Sequence, residues 1–303
     1  MKHDIFDGFR QTVAEKHMNA YGIHVHIDGQ GSMEHRFRSD ERTHLFSGSK
    51  AFTSMAVGIA ASEGLLSLED SALSFFPALR EEAAPGAERI TVRDLLHMCA
   101  GHAEPLFSTE ESSQRMDDDW ASVFFRMPQA YAPGSAFLYD NGCSYMLSRI
   151  IGAASGQTLL DYLMPRLFAP LDIHNPQWHT CPRGHTLGAF GLYLKTEEFA
   201  RLGMLLLRKG RWEDRQLVPP DYLRRAIEDT VPTEGFTDAE TNVGYGYQLW
   251  PCTRPGAFRA DGKYGQYSIV VPDIGAVVTI TAHHEGNAFD LIRAVWTDIV
   301  PRL

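Results

Sequence analysis

Strand-like patterning is confined to the two ends of this 303-residue chain, with a long helical stretch between them. Near the start, GIHVHID (22–28) alternates Ile23, Val25 and Ile27 with His24 and His26, the period-2 pattern of a strand. A turn at Gly29–Ser32 leads into MEHRFRS, a hairpin partner. Near the end, QYSIVVP and AVVTITA flank the turn PDIG and read as a second hairpin. A lone hairpin is marginal in water, so the two ends are expected to meet in one antiparallel sheet. Amphipathic helices at 5–18 (Ile5, Phe6, Phe9, Val13) and in the tail (Phe289, Ile292, Val295, Trp296, Ile299) would cover it.

Between these ends the chain reads as mainly helical. LFSGSKAFTSMAVGIAASEGLL is a long apolar helix expected to start near Ser47 and stop around Gly64. ITVRDLLHMCAG, GCSYMLSRIIGAAS, TLLDYLMPRLF, TEEFARLGMLLLRKG and PDYLRRAIED are further helices, and the acidic segment Glu104–Trp120 reads as a surface loop. The expected fold class is therefore α+β: an antiparallel sheet flanked by N- and C-terminal helices, with an inserted helical subdomain. We expect a single domain of two lobes, residues 1–46 plus 241–303 forming the α/β lobe and 47–240 the helical one. A cleft between such lobes is a common place for a small-molecule site.

Composition narrows the function. A net charge of −10 argues against nucleic acid and anionic membranes as partners, since both demand a basic footprint. No apolar stretch reaches the length of a membrane span. The first residues show no h-region or cleavage site, and the four cysteines (Cys99, Cys143, Cys181, Cys252) are scattered, so free thiols and a cytoplasmic location are expected. Thirteen histidines include His24 and His26 on one strand face and the adjacent pair His283-His284; none completes a metal-binding spacing. No cofactor or metal is expected, and there is no G-x-x-x-x-G-K-[ST] phosphate loop. Asp117-Asp118-Asp119 reads as a solvated loop.

Ser47-Gly48-Ser49-Lys50 is the only S-x-x-K in the chain. A serine hydroxyl is a poor nucleophile without an adjacent base. Residues i and i+3 share one helical face, so Lys50 can reach Ser47. The helix start favours developing negative charge, and the Ser47 N–H can point at an oxyanion. Lys50 can act as a base only with a lowered pKa, which burial would supply. The plainer alternative makes Ser47 an N-cap and Lys50 a surface lysine. Tyr139-Asp140-Asn141 is the only Y-x-N. Its tyrosine can shuttle a proton to a leaving group, and the Asn141 amide can bond substrate or Lys50. A core tyrosine followed by a capping asparagine fits the same residues. On the last sheet, Ala260-Asp261-Gly262-Lys263-Tyr264-Gly265-Gln266 carries glycines that admit a substrate close to the strand. An ordinary glycine-bearing strand fits as well.

These three motifs in this order resemble the serine β-lactamase and penicillin-binding protein superfamily, nearest its class C branch with its esterase, D-aminopeptidase and 6-aminohexanoate-dimer hydrolase relatives. ITVRDLLHMCAG, YAPGSAFLYDN and GLYLKTEEFARLGMLLLRKGRW add to the likeness, which runs from about Gly22 to the end. It implies a serine hydrolase acting on an ester or amide of a small molecule or peptide through an acyl-enzyme on Ser47. Lys50 and Tyr139 share the protons, either being the base. Asn141 and Gly262 would lie at the substrate, and the Lys263 N–H would be the second oxyanion donor. The third motif departs from the family's K-T-G or H-x-G: Ala260-Asp261-Gly262 lacks the cation that holds the carboxylate of a β-lactam or D-Ala peptide. Arg259 and Lys263 are the neighbouring cations. Two other expectations stand beside the first: a β-lactamase or penicillin-binding D,D-peptidase, and an inactive binding protein of the same fold. Specificity is expected in the loops Glu104–Trp120, Trp178–Ala189 and Pro232–Asn242.

Overall fold

A computed structural model describes residues 4–107, 119–233 and 235–303. In chain order, helix α1 (Asp7–Glu15) precedes strands β1 (Ala20–Ile27) and β2 (Gly31–Arg36). The helices α2 (Ser49–Ser62), α3 (Val92–Leu96), α4 (Trp120–Arg126), α5 (Asn141–Ser155), α6 (Leu159–Leu163), α7 (Thr196–Leu207) and α8 (Pro220–Glu228) follow. Strands β3 (Trp250–Pro251), β4 (Phe258–Gly262), β5 (Gln266–Val271) and β6 (Ala276–Ala282) then lead to α9 (Phe289–Ala294).

Among the described residues the main sheet has six strands in the order β2-β1-β6-β5-β4-β3, each pair antiparallel. The two ends of the chain meet where β1 lies against β6, Ile23 opposite Ile280 and Val25 opposite Val278. The fold is thus the mixed helix and antiparallel-sheet class expected from the sequence. One face buries Ile23, Val25, Ile269 and Ile280 against Phe9 and Val13 of α1 and Leu291 and Ile292 of α9. The other face is covered by α7, drawn from the middle of the sequence. Gly203 lets it approach: a Cβ there would come within 2.5 Å of Val277 Cγ1. The Thr196 and Thr281 hydroxyls also bond across this contact at 2.7 Å.

Coverage on both faces explains a departure from simple alternation. β5 and β6 are buried at every position. His24 and His26, on the face that α7 covers, are buried rather than exposed, with Arg208 donating to His26 Nε2 at 3.1 Å and to Asp28 Oδ1 at 3.0 Å. Burial, before the nearby charges, holds the His24 pKa down to about 4.

The second core gathers α2, α5 and their neighbours. α3 begins on a capping box between Thr91 and Asp94. The segment expected as an acidic surface loop holds residues 108–118, including Asp117 and Asp118, outside the described residues. Its described ends turn inward: Leu106, Phe107 and Trp120 are buried, and Asp119 caps α4, a helix that no sequence pattern announced. All four cysteines are buried free thiols. No helix among the described residues is long and apolar enough to cross a membrane.

Candidate active site

The turn before α2 is built by tight local bonding. A short strand at Thr43–His44 pairs with Leu192–Leu194. Leu45 N–H then donates to Leu192 O at 2.9 Å. Phe46 takes a left-handed φ of 48°, and its carbonyl accepts the Ser49 hydroxyl at 2.7 Å. Ser47 therefore sits in a 3-10 turn (Phe46–Gly48), half-buried, ahead of the α-helix proper. The helix N-cap is Gly48, with no side-chain cap. The plainer alternative for Ser47, a capping hydroxyl, does not hold.

One turn further on, α2 is buried from Ser49 to Ala60. Lys50 is therefore 1% exposed, not a surface lysine. Its ammonium nitrogen has three acceptors for three protons: Ser47 Oγ at 3.1 Å, Asn141 Oδ1 at 2.7 Å and Ala189 O at 3.0 Å. Burial pushes its pKa from 10.5 down to about 7, opposed chiefly by the nearby Asp140 carboxylate.

The start of α5 supplies the next side chains. Asp140 is the N-cap and accepts the N–H groups of Gly142 and Leu106, each at 2.7 Å. This aims Asn141 at Lys50 while its amide donates to Phe107 O at 3.0 Å. Just before the cap, Tyr139 lies beside Ser47. Its ring centre lies 5.0 Å from Lys50 Nζ. Burial pushes the phenol well above its ordinary pKa, and the neighbouring Ser47 side chain only partly offsets this.

The end of β4 closes the third side. A Cβ on Gly262 would fall 2.1 Å from Leu45 O and 3.0 Å from Gly48 N, so only glycine lets the strand lie against the serine turn. Lys263 follows on an exposed turn, its ammonium 4.7 Å from the Tyr264 ring centre; Tyr264 and Gly265 have φ of 67° and 98°. Lys50 thus bonds both Ser47 and Asn141, the Tyr139 ring lies beside its ammonium, and Gly262 packs on the serine turn.

Arg259 has a different place from the one its position in sequence invited. It is fully buried, donating to Asp261 Oδ2 at 2.8 Å, Pro251 O at 2.7 Å and Glu240 O at 2.9 Å. It cannot hold a substrate carboxylate. Asp140, Ala189 and the rings around Tyr139 carry no sign of a role in the sequence itself. Asp140 stood inside the Y-x-N motif, but a backbone acceptor such as Ala189 O leaves no mark in a sequence. No group of three or more His, Cys, Asp or Glu among the described residues could hold a metal ion. The loop 178–189 folds back through a Thr180–Thr186 bridge and delivers Ala189 O.

A family model described as Beta-lactamase matches residues 9–298. The octameric penicillin-binding protein homologue from Pyrococcus abyssi superposes with a TM-score of 0.75 at 18% identity, over 98% of this chain and 77% of that one. A D-stereospecific amidohydrolase from Streptomyces sp. superposes with a TM-score of 0.72 at 16% identity, over 97% of this chain and 99% of that one. At such identities both likenesses concern the fold. In sequence, a Salmonella paratyphi A protein named "Putative D-alanyl-D-alanine carboxypeptidase" is 23% identical over 178 residues, 55% of this chain. The matched region spans 41% of that relative's length.

Proposed function

The chain belongs to the β-lactamase family of serine hydrolases, and from that premise we propose that it cleaves an ester or amide of a small molecule or peptide through an acyl-enzyme on Ser47. The observation that carries this reading is Lys50 Nζ 3.1 Å from Ser47 Oγ, in surroundings that bring its pKa to about 7. A neutral amine is then available near neutral pH, whereas the buried Tyr139 stays a phenol. Lys50 is accordingly the base and Tyr139 the relay. The Ser47 oxygen attacks the carbonyl carbon as its proton passes to Lys50. The oxyanion is held by the N–H groups of Ser47 and Lys263. The bond to the leaving oxygen or nitrogen breaks, and Tyr139 hands that atom a proton it regains from Lys50. Water then attacks the acyl carbon by the same proton path in reverse and frees Ser47.

The name of the Salmonella relative favours a second reading, a D,D-peptidase or β-lactamase. The third motif counts against it: Ala260 stands where a cation would, and Arg259 is spent inside the protein.

Intact-protein mass spectrometry after exposure to a fluorophosphonate and, separately, to a penicillin tests both. A phosphonyl adduct on Ser47 without a penicilloyl adduct is expected. A stable penicilloyl adduct would move the assignment to a penicillin-binding protein. Ser47→Ala should retain its circular dichroism and lose the adduct, with turnover down at least about 10³-fold. Undiminished turnover in that variant would sink the proposal.

A further inference from the structure

Tyr139 is one edge of a wall of aromatic rings. It stacks on Trp250 with centroids 5.8 Å apart and an interplanar angle of 27°. Trp250 meets Tyr245 at 4.7 Å, Phe236 at 5.9 Å and Phe137 at 6.2 Å. Phe137 and Phe236 are themselves 6.1 Å apart. Tyr245 and Trp250 are buried, Phe137 is half-buried and Phe236 is 38% exposed. Among the described residues only Met33 and Tyr131 are large apolar side chains as open as this. The rings come from three stretches of chain that share no helix: the segment before α5, the loop before β3, and β3.

An exposed ring at the outer end of a wall whose inner end lies 5.0 Å from Lys50 Nζ is placed to meet a ligand. Phe137 also lines a cavity of about 340 Å³ with Cys99, Ala136, Val231 and Pro232. Arg259, the cation beside this wall, offers nothing to an anionic ligand. Arg259 lies 5.9 Å from the Trp250 ring centre, and its N–H groups bond Asp261, Glu240 and Pro251.

We propose that Phe236, Phe137 and Trp250 form the subsite for the leaving group, and that the departing alcohol or amine is aromatic or bulky, apolar and uncharged. This rests on the acyl-enzyme reading above. In that sequence the carbon–oxygen or carbon–nitrogen bond breaks as the Ser47 ester forms. The proton from Ser47 reaches the leaving atom by way of Lys50 and Tyr139. The leaving atom must therefore face Tyr139, and whatever it carries lies along the wall that Tyr139 begins. The acyl group remains on Ser47 after the wall has emptied.

The test compares benzyl and ethyl esters of one acid with wild type and Phe236→Ala, an exposed loop position whose truncation spares the core. The wild type should prefer the benzyl ester. Phe236→Ala should lower kcat/KM for it about tenfold, and leave the ethyl ester within about twofold. Deacylation, measured by single-turnover release of the common acid, should be unchanged. An equal fall for both esters, no change for either, or slowed deacylation would overturn the subsite. If neither ester turned over, benzyl alcohol should still slow fluorophosphonate labelling of Ser47, and Phe236→Ala should abolish that protection; absence of protection would also overturn it. Failure of any fluorophosphonate to label Ser47 would instead strike the acyl-enzyme reading beneath it.

Discussion

Lys50 shows how one buried side chain sets the chemistry of its neighbours. In water its amine would be protonated below about pH 10 and useless as a base. Embedded in α2, it loses hydration that three acceptors only partly replace. The same burial acts in the opposite direction on Tyr139, whose charged form is the anion. On the proposed mechanism, kcat/KM should fall about tenfold per pH unit below about 7 and level off above it, because only neutral Lys50 takes the serine proton. Lys50→Ala should cost about 10²- to 10⁴-fold in rate and remove the inflection near pH 7. A pH–rate profile of both proteins with a non-ionising ester checks this. An inflection that persisted in the variant would assign the titration to another group.

At the scale of elements, the candidate site is made of ends: the turn before α2, the cap of α5 and the last residue of β4. Helices and strands are rigid, so side chains at their termini are held by the packing of the whole element. The sequence showed the motifs on these elements but not that they would converge. That needed α2 to lie between α5 and the β4 edge, a matter of which apolar faces fit. Gly262 is the tightest point of the convergence. In Gly262→Ala the new methyl group would have to displace Leu45 O, which precedes the serine turn by one residue. Loss of at least about 10²-fold in kcat/KM is expected, since small displacements of reacting groups are costly. Thermal melting should fall by a few degrees at most if the strand edge shifts locally. Wild-type rates in this variant would show that β4 has room to move and does not bear on the serine.

For the molecule as a whole, Lys50 is also a stability term. Its folded value, about 7, lies below the 10.5 of an unfolded lysine. Between these values the unfolded chain holds a proton that the folded protein has released, so unfolding takes up a proton and stability rises with pH across the window. Below about 7 the penalty is complete, on the order of a few kcal/mol. In urea unfolding, Lys50→Met should therefore gain most over wild type near pH 7, with the gap shrinking toward pH 10. A gap independent of pH would mean that the lysine is not held neutral. On the proposed mechanism, this cost fits a site that gives up stability for reactivity.

Much of the architecture was legible in one dimension. Period-2 alternation in GIHVHID, the two C-terminal runs around PDIG and the apolar length of α2 are local signals, and they coincide with β1, β5, β6 and α2, the helix starting at Ser49 after a 3-10 turn. The short spacing of Ser47 and Lys50 is likewise a local signal, since it spans only the turn and the first residues of α2. What tertiary structure alone decided is whatever depends on approach. It buried His24 and His26 beneath α7, turned Phe107 and Trp120 inward, and consumed Arg259 in an interior network. It brought Ala189 O to Lys50 and set Phe236 at the outer end of the ring wall. A sequence records which groups a residue carries. Desolvation, which moved the Lys50 pKa, and contact between segments over a hundred residues apart arise only when the chain has closed on itself.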